Sequence, residues 1–310
     1  MSLLSISPSS TVPLPPGLVI APQLPDLMVP VAIRRGVFGF LRSHPTVAIG
    51  GALLLCLILI GIFAPWLGTI DPTTLAPAKR TRLPSADYWF GTDLLGRDIY
   101  SRVLYGARVS LTVGLSVAIL ASLAGLAIGL VSGFVRWADS ILMRFMDGLM
   151  SIPPILLAVA LMALTRASVG NVIVAITIAE IPRVSRLVRG VVLSLREQPY
   201  VEAAIASGTR VPLIIWRHIV PNTLAPITVQ ATYICASAMI TEAILSFIGA
   251  GTPPIVPSWG NIMAEGRALW QVKPYIVFFP AISLSITVLA VNLLGDGLRD
   301  ALDPRMAKRL

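Results

Sequence analysis

The first chemistry to test is phosphate transfer, which needs a glycine-rich loop ending in Lys and Ser or Thr. The chain has three lysines, Lys79, Lys273 and Lys308, and none of them follows a glycine. Hydrolytic catalysis needs a nucleophile beside a base, but His44 and His218 are isolated and no G-x-S-x-G turn occurs. The sequence therefore predicts no ATP site of its own, no catalytic residues and no enzyme activity.

Metal binding is equally unsupported. Cys56 and Cys235 lie inside apolar runs and lack the clustered spacing of a zinc site, and neither histidine has a second ligand at coordinating distance in the chain. We expect both cysteines to be small core side chains, and we expect no metal site.

The composition indicates whether the chain folds in water or in a lipid bilayer. Of the 310 residues, 55% are hydrophobic and only 13% are charged, where soluble domains have about 25% charge. The mean hydropathy is +0.83. The net charge of +9 could serve nucleic acid binding, but in so apolar a chain it is more typical of cytoplasmic loops. An integral membrane protein that binds no nucleic acid is predicted.

Stretches of about 20 apolar residues are long enough to cross a bilayer as helices. One of the six candidates, Ala167 to Ala179, is short unless its helix continues through Glu180 and the arginines at 183, 186 and 189, with a kink at Pro182. The other five are Thr46 to Gly68, Val109 to Val135, Gly148 to Thr165, Ile219 to Thr241 and Pro274 to Gly295. An all-α fold with six transmembrane helices is predicted.

Basic residues predict the orientation. Placing the N-terminus, the loops 136–147 and 180–218 and the C-terminus on one side gathers 15 of the 24 Lys and Arg residues there. Positive-inside counting therefore puts both termini in the cytoplasm.

The ends of the chain have different compositions. We expect residues 1–33, with many prolines and no signal-peptide pattern, to form a disordered tail, and 34–45 to form an interfacial helix. The expected division continues with a first span at 46–68, a segment outside the cell at 69–108, a core with five spans at 109–305 and a short tail at 306–310.

The loop from 190 to 218 contains the most informative local pattern. Glu202, Ala203 and Ala204 favour a short helix, and Gly208 permits a sharp change of direction before a second helix that enters the fifth span. Such an element forms a rigid knob that fits a groove on a cytoplasmic partner.

This pattern resembles the coupling motif of ABC importer permeases, E-A-A-x-x-x-G followed thirteen residues later by Pro221. The family's I-x-L-P ending is replaced here by His218-Ile219-Val220-Pro221. Three further segments are similar to the C-type subunit of the dipeptide/oligopeptide permease family. They are Phe90 to Asp98 with G-T-D-x-x-G-R-D, Leu245 to Gly251 with Ser258-Trp259-Gly260, and Asn292 to Pro304.

The resemblance implies a type I ABC importer permease fold in a bacterial or archaeal plasma membrane. It implies half of a heterodimeric pore for di- or oligopeptides, which an extracytoplasmic binding protein delivers and two P-loop ATPases drive. ATP and Mg would then bind to the partner subunits, and this chain would hold no cofactor. Nickel, glutathione and opine substrates within the same family remain alternatives.

The resemblance also implies roles for individual residues. The ATPase-coupling loop would use Glu202, Ala203, Ala204, Gly208, Arg217 and Pro221. A structural role outside the cell, or contact with the binding protein, would involve Asp93, Gly96, Arg97, Asp98 and Trp259, with the acid–base pairs holding a segment over the bundle and the glycines making tight turns. Asn222, Gln230 and Thr232 could line the pathway, although a helix–helix contact explains each of them as well.

Glu180 and Glu242 keep another function class open, because an intramembrane carboxylate is costly and is a functional candidate by default. If Glu242 carried protons, the chain would be an ion-coupled secondary transporter that needs no ATPase and fails on Glu242→Gln. Glu242 follows Pro221 by about 32 Å of helix at ~1.5 Å per residue, which places it near the far surface, so an external structural role is preferred. A third hypothesis, a membrane scaffold without a transport path, predicts tolerance to polar-to-apolar changes in the bundle.

Overall fold

The computed structural model describes residues 37–302, and the tails predicted at 1–33 and 306–310 lie outside them. Within that range eleven α-helices form, and the only bridge between extended segments joins Thr92 and Asp98. The helices are α1 Val37–Ser43, α2 Pro45–Phe63, α3 Ile99–Phe134, α4 Arg136–Met150, α5 Pro154–Ala163, α6 Val169–Arg196, α7 Pro199–Ala206, α8 Val211–Ile214, α9 Val220–Phe247, α10 Trp259–Gly266 and α11 Tyr275–Leu302.

Helices α3 and α6 form the central pair of the bundle and run parallel. Gly125, Gly129 and Gly133 on α3 lie in order against Val184, Val188 and Val192 on α6. A Cβ atom at Gly129 would come within 2.5 Å of the Val188 Cβ, so the close approach requires glycine. Such small-residue stripes are the usual means of packing helices in lipid, where van der Waals contact replaces the hydrophobic drive.

The connections define two opposite ends of the bundle. Helix α7 follows the C-terminus of α6, so it lies beside the C-terminus of α3; we call this the α7 end. Helix α10 packs beside the start of α3, where the indole nitrogen of Trp259 donates to the Val103 carbonyl oxygen at 3.0 Å; we call this the α10 end. Because α3 has 36 residues, the two ends are about 54 Å apart along it at ~1.5 Å per residue.

Helices α2 and α11 pack together and bring both ends of the described chain to the α7 end. Helix α11 starts at Tyr275, whose hydroxyl donates to the Arg82 carbonyl oxygen at 2.8 Å at the α10 end. It runs towards the α7 end, where Gly297 packs closely against Val47 near the start of α2.

Five of the expected spans appear as continuous helices, with shifted limits. Helix α3 starts ten residues before the expected Val109, and α9 and α11 continue past Thr241 and Gly295. Helix α6 is continuous through Pro182, as its arginine series required. By length and apolar composition, four helical stretches within 37–302 are long enough to cross a membrane: Pro45–Trp66, Ile99–Phe134, Val211–Phe247 and Tyr275–Leu302. Helix α6 is too charged to meet that criterion.

The prediction that the third span, Gly148 to Thr165, is a single helix is wrong. Helix α4 ends at Met150, and α5 starts at Pro154 after a bend of 88°, so the pair forms at most one broken span and the count reaches five. Pro153 and Pro154 explain the break, because proline removes a backbone donor and disfavours helical geometry in the residue before it.

Candidate functional site

The loop expected to couple the chain to a partner forms a short helix, a turn and a second helix. Helix α7 contains Glu202, and after Ala206 the chain reverses at Gly208, whose φ of +76° is in the left-handed region that favours glycine. Helix α8 then continues through a π-helical turn, Ile215–Ile219, into α9. The predicted short helix, turn and second helix are confirmed.

Some apolar side chains of this knob are exposed, and others are buried in the core. Val201, Ile214 and Ile219 are fully buried and belong to the main core. Large side chains point away from the core at neighbouring positions, and Trp216 is 74% exposed. We call these exposed residues the α7–α8 surface: Tyr200, Ile205, Val211, Leu213 and Trp216.

The other predicted coupling residues lie on or beside this surface. Glu202 and Ala203 are exposed on α7, whereas Ala204 is half-buried and packs against the core. Arg217 is exposed in the π-helical turn, and Pro221 lies in the first turn of α9, directly after that π-helical turn.

Ion pairs brace the α7 end. On α6, Arg189 binds both carboxylate oxygens of Asp139 on α4 at 2.5 and 2.7 Å, and Arg186 pairs with Asp147 one turn earlier. Arg196, at the end of α6, donates to the Gly133 carbonyl oxygen of α3 at 2.6 Å. The α7–α8 surface is therefore attached to a cross-linked platform of α3, α4 and α6.

At the α10 end, four charged side chains form what we call the Asp93 cluster: Asp93, Arg97, Arg102 and Glu265. The Asp93 Oδ2 atom accepts from Arg97 Nε at 2.7 Å and from Arg102 Nη1 at 2.6 Å. Both arginines also pair with Glu265 on α10. Asp93 and Arg102 are fully buried, so the cluster joins the 69–98 segment, α3 and α10 inside the protein.

The remaining residues predicted at this end are also internal. Asp98 caps α3, because its Oδ2 accepts from the Ser101 N–H at 2.9 Å. Gly96 has a φ of +78° and lies directly against the Ala76 backbone. Trp259 is 1% exposed and therefore packs the bundle. Of the two roles considered for these residues, their burial favours the structural one. Glu265 could not be predicted at this site from the sequence, because it is 163 residues from Arg102.

The prediction that Glu242 lies near a surface, where its carboxylate costs little free energy, is wrong. It is near the end of α9, as its position implied, but it is 0% exposed because α10 and the loop before it cover it. Its Oε1 accepts from Ser246 Oγ at 2.7 Å, and that hydroxyl lies 3.1 Å from Thr252 Oγ1. Asn261 Nδ2 donates to the same threonine oxygen at 2.9 Å, so Glu242 belongs to a hydrogen-bonded network that closes the α9–α10 connection.

The three pathway candidates separate in the structure. Asn222 donates to the His218 carbonyl oxygen at 2.6 Å at the α7 end. Gln230 and Thr232 line a cleft of about 210 Å³ between α9 and α11, together with Asp296 and Arg299. The last two residues of the Asn292–Pro304 segment lie outside the described residues. No group of three potential metal ligands occurs within 37–302.

The bundle of long apolar helices is that of an integral membrane protein. Residues 121–308 match the family described as "Binding-protein-dependent transport system inner membrane component", and the chain belongs to that family. It is a permease subunit of an ABC importer, a multi-pass inner membrane protein with the type I importer fold.

Relatives and a solved structure agree with this assignment. The chain is 54% identical over 268 residues to a probable peptide ABC transporter permease protein, y4tQ, of Sinorhizobium fredii, covering 86% of this chain and 92% of that protein. It is 41% identical over 287 residues to the dipeptide transport system permease protein DppC of Alkalihalophilus pseudofirmus, covering 92% and 94%. A chain of the inward-facing MetNI methionine ABC transporter has the same fold, with a TM-score of 0.55 at 20% identity over 65% of this chain and 96% of that one.

Proposed function

We propose that this chain carries di- and oligopeptides across the membrane as one half of a heterodimeric pore. A second permease subunit supplies the other half, and an extracytoplasmic binding protein delivers the peptide. Relatives named for peptide and dipeptide transport, which match more than four-fifths of the chain, support this substrate class.

The observation that carries the proposal is the α7–α8 surface. Its exposed apolar side chains lie among the charged residues Glu197, Glu202, Arg210 and Arg217, which suit a water-facing protein contact better than a lipid contact. The chain has no phosphate-binding loop, so the energy for transport has to come from elsewhere. Two P-loop ATPases, which bind ATP and Mg, dock on this surface and on its counterpart in the second permease.

The braced platform gives a physical route for coupling. Movement of the ATPases pushes the α7–α8 surface, and the buried anchors Val201 and Ile214 pass the displacement to α6 and α9. Because Arg189 and Arg196 tie α6 to α4 and α3, these helices move together and not one at a time. Alternating access follows when this half of the pore rotates against its partner.

The basic residues orient the molecule. The first described helix and the end of α11 lie at the α7 end, which also carries the arginine-rich loop. The positive-inside rule supports a cytoplasmic position for this end and for both termini. The α10 end then faces the binding protein.

A matched pair of tryptophans tests the assignment. Trp216 on the α7–α8 surface and Trp66 at the opposite end are 74% and 75% exposed. In Trp216→Ala and Ile205→Asp variants, purified from membranes with their partners, we expect at least about a tenfold loss of ATPase retention or of ATP-driven peptide uptake, whereas Trp66→Ala keeps both. Equal ATPase retention and equal uptake in the two alanine variants would contradict the proposed docking role of this surface.

Substrate class needs a separate measurement. Competition of a labelled dipeptide with oligopeptides, glutathione, nickel chelates and opines in the reconstituted system ranks the family alternatives. We expect peptides to compete most strongly, and a stronger effect of a nickel chelate or an opine would contradict the peptide assignment.

A further inference from the structure

A cleft of about 290 Å³, mainly apolar but with several polar groups in its wall, opens in the middle of the helix bundle, between α5, α6, α9 and α11. We call it the Arg183 cleft, and its polar lining includes Glu180, Arg183, Tyr233, Ser237 and Asn292. The Glu180 carboxylate is almost fully buried, and its Oε1 accepts from Ser237 Oγ at 3.4 Å. The Arg183 guanidinium lies 5.2 Å from the centre of the Tyr233 ring.

The two charges in this cleft are paired but not satisfied. Arg183 Nη1 lies 3.4 Å from Glu180 Oε2, yet within residues 37–302 neither of these buried atoms forms a hydrogen bond. The arginine side chain is 38% exposed. One and two turns further along α6, Arg186 and Arg189 instead make close pairs with acids on α4. Because Nη1 itself is buried beside Glu180, the part of Arg183 that can bind a further group is the exposed remainder of its side chain, which lines the cleft.

The depth of the cleft limits what it can face. Glu180 is eleven residues from the start of α6, and both Ser237 and Asn292 are seventeen residues from the start of their helices, about 16–26 Å along at ~1.5 Å per residue. A charge pair at this depth is costly against acyl chains and is found facing protein or water. The Arg183 cleft therefore opens towards the pore and not towards lipid.

A second polar cavity extends the cleft towards the α7 end. The cleft that holds Gln230, Asp296 and Arg299 shares Tyr233 and Asn292 with the Arg183 cleft. The amide nitrogen of Gln230 is buried and has no hydrogen-bond partner within 37–302. Polar groups thus follow α9 and α11 from the middle of the bundle towards one end.

We propose that the Arg183 cleft is a weak binding site for the C-terminal carboxylate of a peptide in transit, with Glu180 as the positioning residue. This inference rests on the proposed peptide function. A guanidinium offers a carboxylate two parallel hydrogen bonds, which is the geometry that recognises a free peptide C-terminus. Glu180 holds Arg183 in place and offsets its charge, and a transport pathway needs binding weak enough to release its substrate.

The test uses the complete complex in proteoliposomes and measures peptides carried per ATP hydrolysed. A dipeptide with a free carboxylate is compared with its C-terminal amide, both at concentrations shown to saturate the binding protein. For Arg183→Gln we expect about a tenfold lower ratio for the free acid and less than a twofold change for the amide. Arg166→Gln, the control at an exposed arginine in the loop before α6 and outside the cleft, changes neither ratio. Equal loss of both peptides, or no loss, overturns the proposal.

A thiol at Ser237 reports on the cleft independently of peptide delivery, and it decides the proposal if the wild-type complex does not carry the amide. In a chain with Cys56→Ala and Cys235→Ala, we expect Ser237→Cys to react several times faster with an anionic thiol reagent than with a cationic one. Adding Arg183→Gln should abolish this preference, while Glu180→Gln should increase it. Absence of reaction with either charged reagent overturns the proposal. Failure of the wild-type complex to carry any peptide with ATP would instead count against the proposed function.

Discussion

Removing one charge from the Asp93 cluster should destabilise the protein far more than removing a similar charge at its surface. Asp93→Asn keeps the shape of the side chain and an oxygen able to accept from the backbone N–H groups of Leu95 and Arg97, which bind Oδ1 at 2.8 and 2.9 Å. It removes the negative charge that faces Arg97 and Arg102 at 2.7 and 2.6 Å. Glu265 would then be left to balance two buried arginines.

The expected magnitude follows from this burial. Breaking a buried ion pair by removing one partner costs about 3–5 kcal/mol, because the remaining charge stays desolvated. For a chain of this size that corresponds to a fall in midpoint temperature of roughly 5–15 °C. The assay is thermal unfolding of the detergent-solubilised complex, followed by loss of the monodisperse peak in size-exclusion chromatography.

Asp147→Asn is the matched control, because Asp147 pairs with Arg186 at the protein surface. Exposed pairs contribute about 0–1 kcal/mol, so its midpoint should change by no more than roughly 3 °C. Equal midpoints for the two asparagine variants would refute the argument that the Asp93 cluster holds the 69–98 segment, α3 and α10 together.

Three further variants test separate parts of the fold. Gly129→Ala places a Cβ against α6 and should lower the folded yield severalfold on a membrane-extract chromatogram, whereas Gly148→Ala, with open space around it, should not. Trp259→Phe removes the hydrogen bond to the Val103 carbonyl oxygen and should cost about 1–3 kcal/mol in thermal unfolding; an unchanged midpoint would contradict its structural role. Glu242→Gln should leave ATP-driven uptake within about twofold of wild type, because the amide oxygen still accepts a hydrogen bond; total loss would instead support ion coupling.

Local signals allowed the knob at the α7 end to be predicted from the sequence. Helix-forming residues run up to Ala206 and a glycine follows at the turn, so a short stretch of sequence is enough to predict both the helix and the turn. Helix α6 was also predictable, since its arginines could continue the helix beyond an apolar stretch. The start of α3 was missed by ten residues, although Asp98 three residues before Ser101 is a recognisable N-cap signal.

Contacts between distant parts of the chain could not be predicted in the same way. Glu265 meets Arg102 across 163 residues, and no local pattern connects them. The burial of Glu242 depends on α10 folding back over the end of α9, which hydropathy alone does not reveal. The Arg183 cleft also depends on tertiary structure, because its walls come from four helices.

We expect this permease to transport only when ATPases act on its α7–α8 surface. The most direct measurement is peptide uptake into proteoliposomes, comparing the complete complex supplied with ATP with this chain alone under a proton or sodium gradient. We expect uptake by the complex that disappears without ATP or with Ile205→Asp, and no uptake by the chain alone. Gradient-driven uptake by the isolated chain without ATP would contradict it.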